Sequence, residues 1–344
     1  MSVKTASGTD DSDVSVEAKS RQRNGKGGIA QFTRRVPHLG LLCVLALVAI
    51  VVGTQSDAFF TGDNLLNVAR QVSVAAVIAA ALTLVMTAGG MDFSMGSNVY
   101  VIAAFAAQLI HAGTSVTVTV LASVALATAI GLVNGLVITY SNVAPFVVTL
   151  ATATILDGVS LIVLDGRTVS SGDALSGLGS GYTLGLPNLT LLAAVVLGIT
   201  ALTMKYTTFG RDLFAIGGNE HVARLSGIAV NRDKLLLYAA AGALSGLAGV
   251  MLLSRLVSSS PSPGGGLMLE LGAVAAVVIG GTSLAGGHGT IAGTVLGVVL
   301  LGVVANALNL LQISSFYQPV AVGTVLVIAA VANQLQKSRQ GQGH

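Results

Sequence analysis

Charge is almost absent from two long stretches of this chain, residues 39 to 204 and 235 to 335, which between them hold ten Asp, Glu, Lys or Arg side chains. A soluble domain carries about 25% charged residues. Here 344 residues carry 9%, against 53% in the hydrophobic set. So little polar surface cannot cover a globule in water, and an ordinary soluble enzyme is excluded. The remaining charge sits in residues 1 to 38, in a loop at 205 to 234, and at Lys337 and Arg339.

A membrane-spanning helix needs about 20 apolar residues. Ten stretches meet or approach that length: 39 to 56, 68 to 90, 94 to 112, 115 to 140, 144 to 164, 187 to 204, 235 to 256, 268 to 284, 290 to 311 and 317 to 335. The reading is an all-α, polytopic membrane helix bundle of about ten transmembrane helices. Its domains are an amino-terminal tail (1–38), a transmembrane domain (39–336) with the charged loop 205–234, and a tail at 337–344. An even number of spans puts both ends on one side. Fourteen of the 17 Lys and Arg residues lie in the two tails and the loop, so that side is expected to be the cytoplasm. Residues 1 to 28 cannot bury a core and are expected to be disordered. The run 39 to 54 could pass for a signal peptide, but 38 polar residues precede it and no small-x-small site follows, so it reads as a retained span. Cys43 is the single cysteine, which excludes an internal disulfide, and its apolar surroundings read as a buried structural thiol. The net charge of +3 forms no basic face interleaved with aromatics, and no nucleic-acid partner is expected.

Small residues recur every fourth position: Ser123, Ala127, Gly131 and Gly135; Gly242 and Gly246; Gly289, Gly293 and Gly297. That spacing lets membrane helices pack closely. A second pattern occurs twice, as Gly89-Gly90-Met91-Asp92-Phe93-Ser94-Met95-Gly96 and as Gly280-Gly281-Thr282-Ser283-Leu284-Ala285-Gly286-Gly287, each between two apolar runs. The repeat points to two related halves. Glycine pairs at membrane depth break helices where protein or water surrounds the backbone, implying a cavity beside them; tight turns at the cytoplasmic surface would give the same pattern. Asp92, Asp157 and Glu270 lie in or beside apolar runs, where an exposed charge would cost about 2.5 to 3.5 kcal/mol. Asp92, at a break, is the best functional candidate of the three, and Asp157 reads as a helix-end residue near the outer surface.

Within the charged loop, Asn219 is placed to cap a short helix and Gly227 to end it, with Glu220 and Arg224 suited to its dipole. So short a helix is marginal alone and needs a docking partner; a merely solvated loop is the alternative. Enzyme signatures are weak. Ser283 and His288 lie five residues apart beside glycine breaks, not on separate helices, and GGTSLAGGHGT lacks the lysine of a phosphate-binding loop. The histidines show no ligand spacing, and neither a metal nor any other cofactor is expected.

These residues resemble the permease subunit of ribose-type ATP-binding-cassette sugar importers. The likeness runs from about residue 40 to 335 and rests on GGMDFSMGS (89–97), NGLVIT (134–139), PFVVTLAT (145–152), TTFGRDLFAIGGNEHVARLSGI (207–228) and GLMLELGAVAAVVIGGTSLAGGHGTIAGT (266–294). It implies that Gly210, Arg211, Gly218, Asn219, Glu220, Ala223, Arg224 and Gly227 couple the chain to ATPase subunits. It places a translocation path at Asp92, Ser94, Asn98, Pro145, Thr149 and Glu270. The implied partners are a cytoplasmic ATPase with tandem nucleotide-binding domains, an extracytoplasmic sugar-binding protein and a second permease chain, most simply a homodimer. The implied setting is a bacterial plasma membrane. Gly272 and Asp157 depart from the pattern expected of such permeases, which puts the particular sugar in question. Nucleosides or branched-chain amino acids are alternative cargoes; a self-contained secondary transporter or a membrane enzyme are alternative classes.

Overall fold

The computed structural model describes residues 39–141, 143–314, 317, 319, 320, 323 and 324. The tails at 1–38 and 337–344 and most of the stretch expected to form a tenth span, 317–335, lie outside the described residues. Residues up to Val44 form one unit, of which Leu39–Val44 are described and helical; residues from Leu45 onward form a second.

The apolar runs fold as helices, because backbone groups that lose water must pair within the chain. Among the described residues, six are long and apolar enough to cross a membrane: α2 (Gly62–Thr87), α4 (Val116–Tyr140), α5 (Pro145–Leu164), α6 (Asn188–Tyr206), α9 (Val230–Leu256) and α11 (Ile291–Leu310). Three are shorter: α1 (Leu39–Gln55), α3 (Met95–His111) and α10 (Gly265–Ile279). The charged loop holds α7 (Thr208–Gly218) and α8 (Glu220–Leu225). Boundaries differ from expectation where polar residues extend a helix. α2 starts at Gly62, not 68, because Thr61 caps it by accepting from the Asn64 N–H, and α9 takes in Asn231, Arg232, Asp233 and Lys234. α10 stops at Ile279, where Gly280 and Gly281 follow.

α2 is buried at every position from Val74 to Thr87 except Ala75. A helix that is apolar all round belongs at the centre of its bundle. α4, α5 and α6 instead turn Leu121, Val133, Leu150, Ile155, Val195 and Ile199 outward. α1 is also apolar on its open side, and Cys43 is exposed there. The expected buried thiol is therefore not found, since an apolar run faces hydrocarbon as readily as protein.

The small-residue rows make the tightest seam. On α4 and α9, a Cβ at Gly131 would collide with the Tyr238 carbonyl, one at Gly242 with the Ala127 carbonyl, and one at Gly246 would come 2.5 Å from the Ala127 Cβ. Gly297 of α11 meets the Ala276 carbonyl of α10 in the same way. Hydroxyl and amide pairs add to these contacts: Thr83 to Thr294 at 2.7 Å, and Asn64 with Asn306 through reciprocal bonds of 3.0 and 2.8 Å. Gly131→Val is expected to destabilise the detergent-purified chain by about 1 to 3 kcal/mol through overpacking. Gly158→Val, with nothing within 4 Å of its Cβ position, should leave the unfolding temperature unchanged. Thermal melts of both variants check this.

The two polar loops at the other end of the helices from α7 and α8 join each other, which sequence spacing did not reveal. Strand β1 (Val169–Ser170) pairs antiparallel with β4 (Ser258–Ser259). Between them in sequence, β2 (Tyr182–Thr183) and β3 (Leu186–Pro187) form a hairpin whose turn residues, Leu184 and Gly185, have φ of 54° and 77°.

Candidate functional site

The first glycine motif links α2 to α3 and turns its polar side chains into the protein. Thr152 Oγ1 donates to Asn134 Oδ1 (2.6 Å), and Asn134 Nδ2 donates to Ser94 Oγ (2.9 Å). Ser94 then donates from both its hydroxyl (2.6 Å) and its N–H (2.8 Å) to Asp92 Oδ1. The relay ties the break to α4 and α5. Beside it, Thr149 Oγ1 accepts from the Phe93 N–H at 3.0 Å and donates to the carbonyl of Pro145, the residue that opens α5. Since the Ser94 hydroxyl is turned to Asp92, it cannot cap α3; Glu270 of α10 accepts from the Gly96 N–H instead, at 3.1 Å. A carboxylate at a helix amino terminus meets positive partial charge, which offsets part of its burial. Asn98 donates to Ser245 Oγ of α9 at 2.8 Å.

Asp92, Ser94, Asn98, Thr149 and Glu270 are all buried, each with a protein partner. Around the glycines backbone packs on backbone: a Cβ at Gly286 would stand 2.7 Å from the Gly217 carbonyl and 2.8 Å from the Gly89 Cα. The glycines of the two breaks thus pack on each other, while Glu270 Oε1, Asn98 Oδ1 and the Ser97 hydroxyl lie buried with no hydrogen-bond partner among the described residues. Asn134, Thr152 and Ser245 were not among the candidate residues, although a lone Asn in an apolar run is a signal that could have singled out Asn134. Asp92→Ala should cost about 1 to 3 kcal/mol by leaving the Ser94 N–H without an acceptor, whereas Asp92→Asn, which keeps one, should cost less. Thermal unfolding of the two variants measures the difference.

The short helix expected between Asn219 and Gly227 forms as α8, and a longer helix not expected from the sequence, α7, precedes it. The Thr207 hydroxyl caps α7 by accepting from the Gly210 N–H at 3.0 Å, and a Cβ at Gly210 would collide with the Thr203 carbonyl. Asn219 Oδ1 caps α8 by accepting from the Val222 N–H at 3.1 Å, and Gly227, at φ 85°, closes it. Ala223 packs inward with Ile216 and Val230. Glu220 binds Lys234 at 2.7 Å and Arg224 at 3.1 Å, and Arg224 also donates to Asn231 at 3.0 Å. These contacts pin α8 to the start of α9. Burial pushes the Glu220 carboxyl up, but the hydrogen bonds and charges of Lys234 and Arg224 outweigh it and hold the group below its ordinary range. Val222 and Leu225 are left outward, 54% and 76% exposed, as an apolar pair on a charged surface. Arg211 is exposed and makes no ion pair among the described residues.

The loop also meets both glycine motifs. A Cβ at Gly217 would collide with the Thr87 carbonyl at the end of α2 and come 2.6 Å from the Gly287 N. The Gly287 N–H donates to that same Thr87 carbonyl at 2.9 Å, and Gly218 lies against Gly287. Gly217 was not a candidate residue, yet it brings α7, the first break and the second break to one point. Ser283 and His288 pair through backbone, the Ser283 N–H donating to the His288 carbonyl at 2.9 Å, and the Ser283 hydroxyl accepts from the Ala285 N–H at 3.2 Å. Their contact closes a turn.

Apolar helices long enough to cross a bilayer, joined by glycine breaks and held against a capped surface helix, make up a multi-pass membrane protein. The model of the branched-chain amino acid transport system / permease component family matches residues 64–330, so the chain belongs to that family. The Haemophilus influenzae ribose import permease protein RbsC is 39% identical over 303 residues, covering 87% of this chain and 93% of its own. The Bacillus subtilis ribose import permease protein RbsC is 40% identical over 301 residues, 87% and 92% of the two chains. The Escherichia coli L-arabinose transport system permease protein AraH is 35% identical over 307 residues, 89% and 93%. No solved structure matches. The chain is a transmembrane permease of an ATP-binding-cassette importer, a transport subunit and not an enzyme.

Proposed function

We propose that this chain is the passive conduit of a monosaccharide importer in a bacterial inner membrane, driven by a separate cytoplasmic ATPase that grips α8. The observation that carries the reading is the Gly217 contact, through which movement of the α7–α8 segment would reach both helix breaks without a flexible link. Val222 and Leu225 suit insertion into a groove of the ATPase, with Glu220, Asn219, Gly218, Arg224 and Gly227 holding the helix in its presenting pose. Arg211, exposed beside them, is free to meet an acidic group of the same partner, and Ala223 and Gly210 set the packing beneath.

In this reading ten spans put both termini and the loop 205–234 in the cytoplasm. The paired loops around β1 to β4 then receive an extracytoplasmic binding protein, and a second copy of the chain completes the path. Asp92, Ser94, Asn98, Pro145, Thr149 and Glu270 shape that path by holding the first break and the start of α3 against α4, α5, α9 and α10. Cargo selectivity resides mainly in the binding protein, because a conduit must hold solute weakly enough to release it. Sugar cargo is supported by the names of the ribose and arabinose relatives, and branched-chain amino acids by the description of the family. Uptake into vesicles carrying the assembled importer, measured in parallel with labelled D-ribose, L-arabinose, leucine and uridine, separates them. ATP-dependent accumulation of a pentose is expected, and accumulation of leucine or uridine alone would sink the monosaccharide reading.

A further inference from the structure

The end of α4 and the start of α9 flank a groove of about 580 Å³ that the transport reading does not use. The two helices run antiparallel, with Ala127 on Gly242 and Gly246, Gly131 on Tyr238, and Gly135 on Leu235, so Tyr140 at the close of α4 lies beside the first turns of α9. Tyr140, Ile228, Leu235 and Leu236 make the apolar wall of the groove, and Tyr140 and Leu236 are exposed. Val133, Leu136 and Val137, exposed as well, carry the same face back along α4. Such a row on a spanning helix suits acyl chains, and a tyrosine at its end suits the level of the headgroups. At that end the wall turns basic: Arg224 and Arg232 line the groove, and no carboxylate does. Arg224 is held by Glu220 and Asn231 yet stays half-exposed. Arg232 is exposed and makes no ion pair among the described residues. Asp212 and Asp233 line an adjoining groove that shares Arg232 and Leu236.

We propose that this groove binds an anionic phospholipid such as phosphatidylglycerol, its phosphate on Arg232 and Arg224 and an acyl chain along Leu236 and the outward face of α4. A guanidinium offers paired N–H donors that match phosphate oxygens, and basic pockets beside spanning helices take acidic headgroups. Charge selects the occupant. A zwitterionic lipid brings an ammonium group that Arg232 would repel, whereas an anionic one leaves its phosphate unopposed. Since Arg224 also anchors α8, a bound headgroup would tie the pose of that helix to the lipid around it. The inference goes beyond the transport reading and is independent of the cargo.

The chain has no tryptophan, so Tyr140→Trp supplies a single fluorescent reporter in the groove. In phosphatidylcholine bilayers holding the full-length permease, quenching by lipids with brominated acyl chains should give phosphatidylglycerol a binding constant about fivefold above that of phosphatidylcholine, the scale set by one arginine near an anionic surface. Arg232→Gln in the same background should erase the preference and Arg232→Lys keep most of it, while Lys205→Gln, at the end of α6 and outside the groove, should leave it unchanged. In the assembled importer extracted into detergent, phosphatidylglycerol retained per permease chain should fall in Arg232→Gln. Equal quenching by the two lipids, or a preference that survives Arg232→Gln, would overturn the site. Quenching by neither lipid would give the groove to a second copy of the chain. Retention in the assembled importer that ignores Arg232→Gln would give it to the ATPase, and a preference abolished by inorganic phosphate would give it to a free anion; each of these results contradicts the proposal.

Discussion

Gly217→Val is expected to reduce ATP-driven uptake at least tenfold while the ATPase still binds. The atoms its side chain would strike are backbone: the Thr87 carbonyl at the end of α2 and the Gly287 amide of the second break. Neither can swing aside as a flexible side chain would, so α7 must lift from both breaks. Overpacking of this kind typically costs about 1 to 3 kcal/mol, a cost a multi-helix bundle can survive, so the displaced segment is still presented. Uptake per ATP hydrolysed, compared with ATPase recovered on the immobilised permease, gives the result. Unchanged uptake per ATP would show that the contact is packing without transmission.

Glu220→Lys should abolish uptake through a different step. The wild-type carboxylate gathers Lys234 and Arg224, and the substitution puts a third cation beside them. Exposed pairs of this type are worth only about 0.2 to 1 kcal/mol, so chain stability and membrane insertion should barely change. What is lost is the pose of α8, because a helix of six residues has little stability of its own. ATPase recovery on the permease should therefore fall with uptake. The same pair predicts a pH dependence. A carboxyl held below its ordinary value of 4.5 contributes stability that is full above that value and is lost as pH falls through the folded-state value. Amide exchange over residues 219–226 should be flat from about pH 8 to pH 6, once corrected for intrinsic rates, and lose protection below about pH 4.5.

Much of this was legible beforehand because it depends on local chemistry. Asn219 and Gly227 bounded a helix by capping rules alone, and Gly131 with Gly242 announced a close seam by spacing alone. The remainder depends on which distant segments meet. Nothing local says that Glu270 will accept from the Gly96 amide, 174 residues earlier, or that Gly217 will sit on Thr87 and Gly287. Irregular backbone at the first break finds part of its polar surround in Asn134 and Thr152, partners that no local pattern announced. Asp157, read as a helix-end residue, stands inside α5, which continues to Leu164.

The central claim is that the chain moves nothing uphill by itself. Sealed vesicles containing the permease and the binding protein, with labelled D-ribose outside and ATP within, should show no accumulation until the cytoplasmic ATPase is added, and then an inward gradient that collapses when ATP is exhausted. Accumulation against a gradient by the permease without that motor subunit would contradict the account.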